Sequence, residues 1–87
     1  MKRQIWKYDM SVFDDNFIEM PIGAKFLSIQ SQDGKPVMWF LVNAAMSKEF
    51  RRFRVIGTGQ EFNIDQTDQY LGTFQIGGFV GHLFELL

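Results

Sequence analysis

The stretch FRRFRVIGTGQEF, residues 50–62, combines arginines that alternate with phenylalanines and a turn rich in glycine. Guanidinium groups bind phosphate and carboxylate oxygens bidentately. Backbone N–H groups of a glycine turn can form an anion-binding nest beside them. The stretch therefore predicts a site for an anionic ligand or partner. The candidate residues are Arg52, Arg54, Gly57, Thr58 and Gly59.

In a β-strand, Arg52 and Arg54 point to one face and Phe53 and Val55 to the other. The apolar pair is the better candidate for the core, so the two arginines are expected to point outward together. Arg51 shares the core face, and its place near the end of the strand predicts that it reaches solvent. The alternative to an anion site is a solvated basic strand that protects a sheet edge from aggregation.

Other phosphate and nucleic-acid motifs do not fit this stretch. GTGQEF differs from the dinucleotide fingerprint GxGxxG at its last position, Phe62, and no amphipathic helix follows it. The P-loop pattern and the RNP1 pattern of RNA-recognition domains are absent as well. With a net charge of −1, nucleic acid is an unlikely partner.

The titratable residues do not form a catalytic constellation. The chain has no cysteine and one histidine, His82, which a strand places on an apolar face as a hydrogen-bonded core residue. Glu85 would lie on the opposite face from it, so the two cannot form a dyad. Asp14 and Asp15 have too few ligands for a cation site and are expected to form a solvated turn. The sequence therefore predicts a protein that is not an enzyme, with no metal and no cofactor.

The chain has 87 residues, which predicts one domain over residues 1–87. We find no apolar run of the ~18 residues that span a bilayer, and no signal peptide, which favours the cytoplasm. Aromatic residues make up 16% of the chain, more than a small core needs. Some rings should therefore lie at the surface and cover a partner, which favours a homo-oligomer.

Alternating polar and apolar residues predict strands rather than helices. Asp33-Gly34 and Gly77-Gly78 read as hairpin turns, and Pro21-Ile22-Gly23 as a type II turn. Val37 to Asn43 is apolar on both faces and predicts a buried central strand, with part of a core helix as the alternative. Residues 44–49 could form one helical turn. Trp6 and Trp39 are expected in the core. The prediction is an all-β fold: a small antiparallel sandwich or barrel of six or seven short strands, with at most one short helix.

Several segments together resemble a family of small proteins of unknown function encoded by tailed phages and prophages. These segments are IWKY at 5–8, MPIGAKFLSIQSQDGKPVMWFLV at 20–42, RRFRVIGTGQEF at 51–62, YLGTF at 70–74 and HLFEL at 82–86. The resemblance implies a setting and no reaction. In that setting we expect a non-enzymatic accessory protein in the host cytoplasm that inhibits host antiviral defence by stoichiometric binding. Its target would be a defence protein or a phosphate-bearing nucleotide signal. The alternative is a structural or morphogenesis protein of the phage.

Overall fold

A computed structural model describes residues 2–13, 15–65 and 68–87. These residues form seven strands and no helix. The strands are β1 Gln4–Asp9, β2 Asn16–Pro21, β3 Lys25–Gln32, β4 Lys35–Val42, β5 Lys48–Gly57, β6 Gln69–Ile76 and β7 Phe79–Leu86. The predicted all-β class and the number of strands are confirmed. Residues 44–47 form a turn and no helical turn, and β5 begins directly after them.

The strands form two antiparallel sheets that pack face to face as a sandwich. Sheet A has the order β1-β4-β3, and sheet B has the order β2-β5-β7-β6. As predicted, β4 is a central strand. Its side chains Met38, Phe40 and Val42 are fully buried between the sheets. The core continues across sheet B through Met20, Phe53 and Leu83.

The predicted turns follow from residues that tolerate positive φ. Asp33 and Gly34 have φ values of 52° and 76° and join β3 to β4, as a type I′ hairpin requires. Gly23 has a φ of 81°, and the N–H of Ala24 donates to the carbonyl of Pro21 at 3.1 Å. The turn predicted at Pro21-Ile22-Gly23 therefore also forms, with Pro21 as its first residue.

One of the two tryptophans does not lie in the core. Trp6 packs against the buried cluster, and its indole N–H donates to Oε1 of Gln4 at 2.8 Å. Trp39 is opposite Lys7 in β1 and Ser28 in β3, on the outer face of sheet A, and it is half-buried. The prediction for Trp39 is wrong because β4 is apolar on both faces. Alternation then cannot tell which face meets the other sheet.

Gly81 lets two phenylalanine rings approach the backbone of β7. A methyl group at Gly81 would lie 2.7 Å from the Phe74 ring and 2.9 Å from the Phe79 ring, closer than carbon atoms can pack. Gly78, in the adjoining turn, has no such neighbour within 4 Å and does not have a positive φ. An alanine side chain therefore fits at Gly78 but not at Gly81.

We predict that Gly81→Ala lowers the free energy of unfolding by about 1–3 kcal/mol, the usual cost of overpacking a core. Gly78→Ala is the matched control and should stay within about 1 kcal/mol of the parent protein. Urea unfolding followed by circular dichroism measures both. Equal stabilities of the two variants would contradict the close packing at Gly81.

Candidate functional site

Arg51 lies on the core side of sheet B, and all three nitrogens of its guanidinium group donate hydrogen bonds. Its Nε and Nη2 donate to the two carboxylate oxygens of Glu85, at 2.6 Å and 2.8 Å, and its Nη1 donates to the carbonyl of Ala24 at 2.6 Å. Its guanidinium carbon is 5.3 Å from the centre of the Phe40 ring, which is cation–π range. Arg51 reaches solvent only in part, with 19% of its side chain exposed, because Glu85 and the Ala24 carbonyl hold the side chain against the core.

Arg52 and Arg54 lie on the outer face of sheet B and share one carboxylate. Nε and Nη2 of Arg54 donate to the two oxygens of Asp15 at 2.6 Å and 2.9 Å. Nε of Arg52 donates to Oδ2 of the same carboxylate at 2.9 Å. The two arginines do share a face, and within the protein their acidic partner is Asp15. Binding of an external anion there stays a prediction, and such an anion would compete with Asp15.

The shared carboxylate is strongly acidic. Its hydrogen bonds from Arg54, together with those from Arg52, lower the pKa of Asp15 from its ordinary 3.8 to about 2, although partial burial opposes this. The aspartate is therefore ionised throughout the physiological range. The expectation of a solvated turn does not hold for Asp15, and Asp14 lies outside the described residues.

Backbone N–H groups of the Gly57–Gly59 turn already donate hydrogen bonds within the protein. The N–H of Gly57 donates to Oε1 of Gln60 at 3.0 Å, and the N–H of Gln60 donates to the carbonyl of Gly57 at 3.0 Å. The N–H of Thr58 donates to the carbonyl of Val80 at 3.1 Å. Gly59 has a φ of 85°, which suits the third position of the turn. Two of the amides predicted to bind an anion are thus already engaged.

His82 lies in a chain of hydroxyl groups on the outer face of sheet B. Its Nε2 is 2.8 Å from Oγ1 of Thr58, and its Nδ1 is 2.9 Å from Oγ1 of Thr73. Thr73 in turn lies 2.5 Å from the hydroxyl of Tyr70. His82 is therefore hydrogen-bonded, as expected, but it is not a core residue. This hydrogen-bonded chain of side chains links β6, β7 and the turn after β5. Thr58, a predicted site residue, therefore has an internal partner.

The segment after β5 covers part of this outer face. The ring centre of Phe62 lies 5.5 Å from that of Phe84, and the segment packs over Ile56 and Leu86. Ile56 is only 3% exposed although it points away from the other sheet. Beside this covered region, a cleft of about 350 Å³ is lined by both outward arginines and also by Asp65 and Asp68. The carboxylates on its far wall make this cleft less favourable for an anion.

The uncovered end of the same face carries two exposed phenylalanines. Phe17 and Phe50 are 64% and 68% exposed, and they alternate with Arg52 and Glu19 across the β2–β5 pair. The guanidinium carbon of Arg52 lies 5.8 Å from the centre of the Phe17 ring. We call these four residues the Phe17–Phe50 patch. It borders a cleft of about 680 Å³ that Leu86 and Leu87 also line.

Sequence patterns indicated part of this arrangement. Phe50 was recognisable as sharing the face of Arg52 and Arg54, but strand alternation does not say whether a face is covered. Asp15 lies 37 and 39 residues from its two arginines, so spacing held no signal for that contact. Among the described residues, no group of three or more histidine, aspartate or glutamate side chains is placed to hold a metal ion. The same part of the chain contains no helix that is long and apolar enough to cross a membrane.

The chain belongs to the family described as domain of unknown function DUF7352, which it matches over residues 1–87. Comparison with curated proteins and with solved structures finds no match. Family membership therefore names no reaction, ligand or partner, and a function has to be argued from the surfaces of the molecule.

The low pKa of Asp15 predicts a stability that depends on pH. A carboxylate whose pKa is lower in the folded than in the unfolded protein stabilises the fold above the unfolded value, and this contribution is lost as pH falls through the folded value. Asp15→Asn should therefore cost on the order of 1 kcal/mol at neutral pH. The difference from the parent protein should shrink between pH 3.8 and about 2. Unfolding curves at several pH values measure it, with Glu61→Gln in the exposed loop as control. A difference that does not change with pH would contradict the shared ion pair.

The three arginines should also differ in their contributions to stability. Arg51→Met leaves Glu85, which is 8% exposed, without its partner in a buried site. We expect a loss of about 3–5 kcal/mol, against about 1 kcal/mol or less for Arg52→Met on the outer face. Combining Arg51→Met with Glu85→Met should recover part of the loss, since no buried charge then remains. Chemical denaturation compares the variants, and equal costs of the two single substitutions would show that Arg51 has no buried role.

Proposed function

We propose that this protein is a non-enzymatic binding protein that associates stoichiometrically with another protein through the Phe17–Phe50 patch. The observation that carries the proposal is the pair of exposed phenylalanines on a rigid, paired stretch of sheet. Contiguous exposed apolar surface on a small domain is uncommon and favours a binding role.

The composition of the patch supports a protein partner. Aromatic residues and arginine are enriched at protein–protein interfaces and contribute a large share of their binding energy. Arg52 stacks beside Phe17 and is held by Asp15, so little side-chain freedom is lost when a partner covers it. The arginine that the sequence singled out thus belongs to this surface, as a component of an aromatic patch.

The edge of sheet B supports the same proposal. β2 is the outermost strand of sheet B, and its pairing with β5 runs from Asn16 to Pro21 with no register shift. An edge strand presents unpaired backbone groups, which a partner segment can use by adding a strand. Phe17 would then lie beside the added strand, and its ring would provide an apolar contact next to the backbone hydrogen bonds.

A substitution of both rings tests the proposal. We expect a partner protein to co-purify with the parent chain from its source cells, and the doubly substituted protein Phe17→Ala/Phe50→Ala to lose it. The circular dichroism spectrum of this variant should stay the same, because both rings are exposed. The matched control is Ile5→Ala/Leu27→Ala, two exposed apolar residues, 61% and 43% exposed, on sheet A. Retention of the bound protein by the patch variant, or its loss from both variants, would contradict the proposal.

The finer role, inhibition of host antiviral defence in the host cytoplasm, rests on the resemblance to phage-encoded proteins. We expect phage to plate more efficiently on a defended host that expresses the parent chain, and to show no such gain with Phe17→Ala/Phe50→Ala. A nucleotide signal as target predicts binding that depends on Arg52 and Arg54 instead. The structural or morphogenetic alternative predicts that the protein is incorporated into purified virions, with no effect on plating.

A further inference from the structure

A second apolar surface lies at one end of the sandwich, and its lining residues differ from those of the Phe17–Phe50 patch. A cleft of about 810 Å³ opens where the β1–β2 loop meets the β3–β4 and β6–β7 hairpins. Its apolar lining comes from all three segments. These lining residues are Met10, Val12, Pro36, Ile76 and Phe79. Asp9 and Lys35 add one negative and one positive side chain to the same cleft.

Phe13 projects from the rim of this cleft. Its side chain is 90% exposed, and it also lines the cleft. An exposed ring on a mobile loop would not by itself indicate a binding surface. The backbone around Phe13, however, is held in place. Its N–H donates to Oγ of Ser11 at 3.1 Å, and Asn16 exchanges two hydrogen bonds with the backbone of Ser11, at 2.8 Å and 2.9 Å.

Asp15, directly before β2, is also held in place. Two residues beyond Phe13, the Asp15 carboxylate receives hydrogen bonds from both outward arginines. Asp15 is therefore attached to β5, while Ser11 and Phe13 are held by the hydrogen bonds to Asn16 and Ser11. Because the backbone that carries the ring is held, it loses little conformational freedom on binding, which favours Phe13 as an anchor at an interface.

We propose that Phe13 of one copy inserts into the cleft of a second copy, and reciprocally, to form a two-fold symmetric dimer. A symmetric interface uses the same surface on both subunits, so that surface must be complementary to itself. This end of the molecule meets the requirement, since it carries a projecting ring beside an apolar cleft. Each buried phenylalanine removes on the order of 150–250 Å² of its surface from water.

The charges of the cleft agree with a second copy as the occupant. No ion pair joins Asp9 or Lys35 to another side chain within residues 2–13, 15–65 and 68–87. In the proposed dimer we expect Asp9 of each copy to pair with Lys35 of the partner subunit, so that both charges are matched. A small neutral ligand would use neither charge, and it would leave Phe13 in water.

Sedimentation velocity on the full chain, at concentrations across the micromolar range, tests the dimer. We expect the parent protein to sediment as a dimer and Phe13→Ala to dimerise at least tenfold more weakly with an unchanged circular dichroism spectrum. Ile64→Ala is the control, because Ile64 is 56% exposed and lies outside the cleft. It should dimerise as the parent does.

Reversing the charges of Asp9 and Lys35 distinguishes a specific interface from non-specific hydrophobic association. Asp9→Lys and Lys35→Asp should each weaken the dimer, and the double substitution should restore it, because opposite charges then meet again across the axis. A parent protein that stays a 10.2 kDa monomer would overturn the proposal. Single reversals with no rescue in the double would also overturn it. So would a monomer whose cleft takes up an apolar dye, since that result indicates a ligand pocket.

Discussion

The buried ion pair of Arg51 and Glu85 is the constraint on which the two faces of sheet B depend. In β5, three arginines occur within four positions, and a shift of one residue would exchange those that face the core with those that face outward. Glu85 is the buried acidic residue of the core side, and Phe53 is its register partner in β5. In the observed register Arg51 reaches this carboxylate and the Ala24 carbonyl. A shift of one residue would turn Phe53 outward and bring both Arg52 and Arg54 inward, and one carboxylate would then leave a buried charge unpaired, which is costly.

Once Arg51 is fixed inward, Arg52 and Arg54 must point outward. Both then donate to the carboxylate of Asp15, which is thereby held against β5. The outward arginines are therefore part of the scaffold as well as part of the surface. They hold Asp15, while Arg52 also supports the exposed ring of Phe17.

The exposed aromatic rings reflect the size of the chain. A sandwich of this length has room for a few large side chains between its sheets, and Phe40 and Phe53 already fill the centre of the core. The segment after β5 covers another part of the apolar surface by packing Phe62 on Phe84. Phe13, Phe17 and Phe50 remain outside both arrangements. Phe13 lines the cleft at one end of the sandwich, whereas Phe17 and Phe50 border the cleft on the β2–β5 pair.

The sequence by itself determined the class of fold, because alternation and turn chemistry are local. Asp33-Gly34 needs no distant contact to form a type I′ turn, and the alternation along β5 places Arg52 and Arg54 on one face in any sheet. The tertiary structure alone decided which of these side chains are paired within the protein and which remain exposed to a partner. Asp15 meets its arginines, and Arg51 meets Glu85, across more than thirty residues of sequence. Trp39 lies outside the core because both faces of β4 are apolar, and only the stacking of sheet A on sheet B chooses between them. Contacts of this kind form when distant strands are brought together, and no local pattern of residue types records them.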